Sequence, residues 1–562
     1  MSSLVPQLAL AAAAVVCTRW LWTLISVRRI LDNIPGPPSP SFWIAVPKPW
    51  LAGNFGQIYS VDGWAFHQQL AEKYGGVVRV DGLFGEKQLY AFDPKALHHV
   101  LLKDQDSFEA PIEFTRMQSV IFGEALVSST GAQHRKQRKM FNPVFSAAHL
   151  RNMVPIFFGV GKKLRAAIEA KVKNGPKEVW MSRTALELVG QAGLGHSFDT
   201  LVEDAVPAYI TSAQNMQITI FRMALPSRYI LPWAVKIGGP KFRRFIVNIT
   251  PWKDLHTARD IIDDLHQSAV NIYTAKKKAL EAGDEAVAAQ IAQGKDIISI
   301  LMKDNSDAST KDRLSEAEIL GQVYILSTAF RSRDPSLLVF ASTDTTSAAL
   351  ARTLYLLAHN PDVQEKLRRE INETQGDRED QDLTYDELTS KLPYLDAVCR
   401  ESLRLHPPIS FVSRTAQKDV VLPLSTPIVT VSGSTVSEVV VPAGINVLVS
   451  ILASNRNEAV WGPDCLEFKP ERWLSPLPQT VVDAPIPGVY SNLMTFIGGP
   501  RSCIGFKFSQ LEMKVILSLL VGRFKFSLSD KDSEISWKMS SIAVPNVGSD
   551  STPQLPMKVE LV

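Results

Sequence analysis

Phe496-Ile497-Gly498-Gly499-Pro500-Arg501-Ser502-Cys503-Ile504-Gly505 decides how this chain is read. The stretch sets one cysteine among glycines, with an aromatic residue before it and an arginine two positions upstream. A free cysteine is among the most buried residue types and is usually an inert part of a core. These neighbours argue for something else. Gly499 and Gly505 let a backbone turn tightly and come close to a large flat group. Backbone N–H groups left unpaired by such a loop can hydrogen-bond a thiolate and hold it ionised. Arg501 can neutralise an anionic edge of the same group, and a thiolate so presented suits iron.

The pattern Phe-x-x-Gly-x-Arg-x-Cys-x-Gly, filled by Phe496, Gly499, Arg501, Cys503 and Gly505, resembles the heme-binding signature of the cytochrome P450 family. The resemblance implies heme b with Cys503 as its axial thiolate ligand. A thiolate under heme donates electron density that favours O–O cleavage. It also implies the P450 fold, mainly α with small β-sheets, preceded by a single N-terminal transmembrane helix.

At 562 residues the length alone would allow three or four domains. Nothing in the middle reads as a linker, and family members of this size form one heme domain. A net charge of +3 gives no support to a nucleic-acid partner. Of the four cysteines, Cys17 lies in an apolar run and Cys399 in a helical pattern, which argues against a disulfide framework. Leu4 to Val27 is almost wholly apolar, long enough to span a bilayer, and interrupted by Arg19. Positive charge follows the run at Arg28-Arg29, which is the wrong order for a cleaved signal peptide. It keeps the following domain on the cytoplasmic side. The expected organisation is an anchor over 1–29, a proline-rich hinge over 30–48 and a heme domain over 49–562. The resemblance places the chain on the endoplasmic reticulum membrane. There the acceptor patterns at Asn248 and Asn372 would stay unmodified.

Local signals give a mostly helical chain with short strands near both ends of the catalytic domain. Val77 to Asp81 and Lys87 to Phe92 read as strands, as does Lys558 to Val562. Asn360-Pro361 predicts a helix start with Asn as N-cap and Pro first in the helix. Thr384 to Glu387 is a capping box. Leu511 to Val521 reads as a helix whose N-terminal dipole would favour the thiolate.

Three further constellations follow the resemblance. Glu401 and Arg404 share a helical face, and Phe468 to Trp473 is similar to the family's second arginine motif. Glu401, Arg404 and Arg472 are then expected to form a buried ion network with a structural role. Phe340 to Thr346 resembles the oxygen-activation stretch of the family's central helix. It implies Thr345 hydrogen-bonding the oxygen being cleaved and Asp344 relaying protons, the acid–alcohol pair that O–O heterolysis needs. Gly131 to Arg138 resembles the helix that covers the heme. From it His134 and Arg138, together with Arg414 and Arg501, are expected to reach the propionates, since arginine suits planar carboxylates.

Residues 323–338 fit poorly. Asp334-Pro335 breaks or kinks any helix that contains it, where the family's central helix would run unbroken. The stretch reads as an insertion, such as a retained intron translated in frame. The segments expected to line the substrate pocket are Phe108, Phe114 and Phe122, then Met216 to Val235, Val339 to Thr343, and Ile409 to Val412. They are apolar and suit a lipophilic substrate. The sequence style over 36–57 and 422–444 resembles members of mushroom secondary metabolism, which points to a terpenoid, with a sterol or fatty acid behind it. The chain has no room for fused flavin domains. Electrons are therefore expected from NADPH through a separate cytochrome P450 reductase, with cytochrome b5 as a further donor. The rivals are a heme-thiolate isomerase or dehydratase that needs no dioxygen, and a non-catalytic heme sensor.

Overall fold

A computed structural model describes residues 30–38, 53–82, 86–173, 175, 177–180, 223–282, 301–302, 305, 313–319, 338–376, 378, 381–548 and 553–562. The apolar run of 4–27, residues 39–48 of the expected hinge and residues 323–337 of the expected insertion lie outside them. Among the described residues no helix is long and apolar enough to cross a membrane.

The longer helices are α1 (Trp64–Tyr74), α2 (Ile112–Phe122), α3 (Gly131–Phe141), α4 (Ala147–Val172), α5 (Lys253–Ala282), α6 (Leu338–His359), α7 (Pro361–Gln375), α8 (Pro393–Leu405) and α9 (Phe506–Val521). Helix α9 is apolar on nearly every side, and such a helix has to be central. It touches α4, α6, α7 and α8, and Leu511, Met513, Val515, Leu517 and Leu520 are buried there. Gly161 of α4 allows the close crossing, since a Cβ at that position would stand 2.4 Å from Leu519 Cδ1. The helix starts at Phe506 with Gly505 as its N-cap, five residues before the sequence pattern predicts. Its first turn carries Lys507 and Ser509, which hide the apolar period.

The strands are β1 (Val77–Asp81), β2 (Lys87–Ala91), β3 (Phe108–Glu109), β4 (Lys177–Trp180), β5 (Phe411–Ala416), β6 (Val420–Val429), β7 (Thr435–Val441), β8 (Asn446–Ser450), β9 (Phe524–Leu528), β10 (Ile535–Met539), β11 (Ala543–Val547) and β12 (Pro556–Leu561). The main sheet has the order β1-β2-β8-β5-β3. Its centre, β8, is buried at every residue, runs parallel to β2 with Leu89 opposite Val447, and is antiparallel to β5. Strands β6 and β7 form a separate hairpin, and β4-β12-β9 and β10-β11 complete the sheets. The capping box is formed: the Glu387 N–H donates to Thr384 Oγ1 at 3.2 Å and the Thr384 N–H to Glu387 Oε2 at 3.0 Å. The Thr384 N–H first, then the Thr384 hydroxyl, Lys391 and Arg378, hold the Glu387 carboxyl down at about 2. Asn360 occupies the N-cap position of α7 but does not cap it. Its amide turns back and donates to Leu356 O at 2.8 Å, an orphan carbonyl at the end of α6.

Residues 30–38, expected to be hinge, are sewn to the sheet. The Arg79 N–H donates to Pro35 O at 2.9 Å, and Asp32 pairs with Lys87 at 3.3 Å. A Cβ on Gly36 would lie 2.0 Å from Arg79 O, so this segment lies flush against β1.

Glu401, Arg404 and Arg472 meet in the core. Arg404 Nε and Nη2 donate to the two Glu401 carboxylate oxygens at 2.9 and 2.8 Å, with both side chains fully buried. Arg472 Nε reaches Glu401 Oε1 at 3.4 Å, and its Nη1 pairs with Asp464 at 2.9 Å. The remaining Arg404 donors satisfy the carbonyls of Asn455, Cys465 and Glu467. Removing the guanidinium leaves a buried carboxylate without its main partner, and Arg404→Ala is expected to cost about 3–5 kcal/mol. The check is the urea midpoint followed by far-UV circular dichroism, where Arg404→Ala should fall well below an exposed control such as Arg378→Ala.

Candidate active site

The loop before α9 is shaped by backbone meeting backbone. Gly499 has φ +77°, and a Cβ there would stand 2.1 Å from Leu101 O; on Gly498 it would stand 1.7 Å from Pro487 O. Neither place admits a side chain. The Ser502 N–H donates to Gly499 O at 3.0 Å and the Cys503 N–H to Phe496 O at 2.9 Å, which closes the loop on itself. Phe496 is buried against Tyr490 and Phe506. Gly505 departs from the tight-turn expectation: its φ is −87°, and a Cβ would meet only Phe145 Cε1 at 3.9 Å. Its contribution is its N–H, which faces the Cys503 sulfur and favours the thiolate.

Cys503 has open surface, yet protein surrounds it closely enough that burial pushes its thiol up. The Gly505 N–H and the Arg138 charge oppose that rise. Among the described residues no group of three His, Cys, Asp or Glu side chains is placed to hold a metal.

Cations gather beside this loop. His134 is buried on α3, and burial together with Arg501, Arg138, Arg414 and Arg135 pushes its pKa down to about 4. Arg414, on β5, is buried and lowered to about 10, by burial first and by Arg501 second. It donates to Ser413 O at 2.9 Å and has no ion pair within 4 Å among the described residues. Arg501 donates to Ser129 O at 2.7 Å and pairs with Glu109 at 3.4 Å. His134, Arg414 and Arg501 border one small cavity of about 70 Å³. Buried Arg414, without an ion pair among the described residues, and Arg501 beside it call for a further anion, and a heme propionate meets that requirement, with neutral His134 able to donate an N–H to it. The donor set fits heme. Arg138 braces the cysteine loop directly: its guanidinium donates to Ser502 O at 2.5 Å and Ser502 Oγ at 3.2 Å.

On the other side, α6 carries Asp344 and Thr345. Thr345 is half-buried, and the Asp344 side chain lies outside the described residues. The next residue, Thr346, is buried, and its hydroxyl meets Ser509 Oγ at 3.1 Å, which ties α6 to α9. Two acids escaped the sequence reading. Glu109 is the counter-charge to Arg501. Glu512 of α9 has both carboxyl oxygens buried without a hydrogen-bond partner, and burial holds it well above the usual carboxylate range against the pull of Thr346. Its one sequence signal is an acid inside an apolar run.

Of the expected pocket lining, Phe108 and Phe122 belong to the core and Phe114 is exposed. Residues 216–222 and the side chains of 339–343 lie outside the described residues. A larger cavity, of about 720 Å³, is polar and bordered by Glu86, Glu109, Glu113, Arg116 and Arg228.

The loop geometry separates two glycines that the signature treats alike. Gly499→Ala should leave little protein with the reduced carbon monoxide band of thiolate-bound heme, because a backbone carbonyl blocks its Cβ. Gly505→Ala should retain that band.

The cytochrome P450 family profile matches residues 44–549. Cytochrome P450 monooxygenase 91 of Postia placenta is 50% identical over 552 residues, which cover 96% of this chain and 97% of the relative. Ganoderic acid synthetase CYP5150L8 of Ganoderma lucidum is 40% identical over 568 residues, 99% of each chain. The cytochrome P450 monooxygenase eriI of Hericium erinaceus is 36% identical over 563 residues, covering 98% of this chain and 97% of the relative. Likeness of this extent spans the cysteine loop, the cation cluster and the buried ion network alike, and the chain belongs to the cytochrome P450 family as a monooxygenase.

Proposed function

We propose that this monooxygenase inserts one oxygen atom of dioxygen into a lipophilic terpenoid, in fungal secondary metabolism, with electrons from NADPH through a separate cytochrome P450 reductase. The observation that carries the chemistry is the Cys503 sulfur with the Gly505 N–H directed at it and the Arg138 charge acting on it. Full-length similarity to a ganoderic acid synthetase supports the terpenoid class. The N-terminal apolar run supports a single-pass anchor on the endoplasmic reticulum with the catalytic domain in the cytoplasm. Residues 323–338 are proposed to be an insertion in the central helix; α6 begins at Leu338, three residues after Pro335.

In this reading Cys503 would hold the iron as a thiolate, and His134, Arg138, Arg414 and Arg501 would hold the propionates. The bound heme supplies the redox chemistry that activates dioxygen. The thiol has to lose its proton to ligate, and the Gly505 N–H and the Arg138 charge lower the cost of that loss. The loop glycines and Arg138 fix where the sulfur stands. Thr345 and Asp344 supply protons from α6, an acid–alcohol relay worth roughly 10²-fold or more in rate.

Co-expression with a reductase under isotope-labelled dioxygen, followed by mass spectrometry of products from a terpene panel, tests the reading. A product that carries the label supports it; a rearranged product without label points to an isomerase. Cys503→Ser should lose the thiolate band and all turnover. Thr345→Ala should keep the band while product per NADPH consumed falls by roughly 10²-fold.

A further inference from the structure

Donors without acceptors collect between α6, β10 and the end of α8. Arg352 of α6 is 9% exposed, and its guanidinium carbon stands 3.5 Å from the centre of the Trp537 ring on β10. That is a stacking separation. The ring face answers the charge but leaves the N–H groups, which lie in the guanidinium plane, to find acceptors elsewhere. Among the described residues no hydrogen bond or ion pair takes them up. The Trp537 N–H is itself buried without a partner. Both groups are donors only, so neither can satisfy the other.

Two further groups act on the same place. Arg456, six residues past β8, donates to Leu405 O at 2.7 Å and to His406 Nδ1 at 3.1 Å. An arginine only donates, so His406 accepts there and carries its proton on Nε2. Burial, with the charges of Arg352, Arg456 and Arg404, holds this imidazole well below its ordinary range. Burial first and Arg456 second push Arg352 down to about 9, and burial first and Arg404 second push Arg456 down to about 10. No carboxylate acts on either arginine. Glu401 is spent on Arg404, and Asp532 is engaged by Tyr355 and His359. Two largely buried positive charges without a negative one are an unmet demand for an anion. None of these four residues borders either cavity beside the cysteine loop.

We infer that Arg352, Arg456, the His406 Nε2–H and the Trp537 N–H form a binding site for one dianionic oxyanion of the phosphate class. Two guanidinium charges balance a dianion, and their planar forks suit its oxygens. The bound anion joins α6 to β10 and to the end of α8. Inorganic phosphate and the headgroup of a phosphatidic acid both carry this chemistry.

The test is equilibrium dialysis of radiolabelled inorganic phosphate against the full, heme-loaded chain in non-ionic detergent, with ionic strength held constant by chloride. Bound heme keeps the cations beside Cys503 occupied. Saturable binding of a single phosphate per chain is the expected result. Arg352→Gln should weaken it by roughly tenfold or more, and Trp537→Phe, which keeps the ring and removes the N–H, by about threefold. Arg151→Gln, at an exposed arginine, should leave it unchanged. If Arg352→Gln yields no heme-loaded protein, Trp537→Phe decides, and unchanged affinity there overturns the inference. Absence of saturable binding also overturns it, as does equal affinity in every variant, which would mark an adventitious ion only. Dihexanoyl phosphatidic acid separates the two sources: competition with phosphate assigns the site to a headgroup, and failure to compete assigns it to the free anion.

Discussion

One buried carboxylate, Glu401, organises the half of the molecule that leads to the cysteine. It accepts from Arg404, Arg472, the Trp473 indole N–H at 3.0 Å and the Lys469 N–H at 3.1 Å. A charge removed from water at such cost persists only where donors surround it. The donors come from α8 and from the irregular stretch 464–473, which has little regular backbone pairing of its own. Arg404 carries the constraint further through three backbone carbonyls. An irregular chain is thereby given a fixed course, and the loop ending at Cys503 inherits it.

Within that loop, sterics replace electrostatics. Gly498 and Gly499 lie against carbonyls of Pro487 and Leu101, while Ile497 takes φ +45°, a left-handed conformation that a branched residue rarely adopts. Strain of this kind persists only where the surroundings over-determine it. Here they do. The Cys503 N–H closes the turn on Phe496, Arg138 clamps Ser502 from α3, and α9 begins at the next glycine. The sulfur is placed by four separate segments.

Much of this was legible in the sequence because it is written locally. The cysteine signature, the capping box at Thr384 and the Glu401–Arg404 spacing are each contained within a few residues. The features that escaped are those with distant partners. Glu109 meets Arg501 across 392 positions, and Arg138 meets Ser502 across 364. Asn360 reads as a cap by residue type, but an orphan carbonyl four residues back competes for its amide. Glu512 looks like an error in an apolar helix until its burial shows a carboxyl held well above the usual carboxylate range. Residues 30–38 look like a spacer by composition, and only the edge of β1 reveals that they are docked.

That docking changes the mechanics of the N-terminus. Strand β1 is continuous through β2 and β8 with β5, and β5 carries Arg414. A force on the chain ahead of Ile30 is taken up by a sheet, not by a swivel. A pull applied at Ile30 therefore turns the whole sheet with it, Arg414 included.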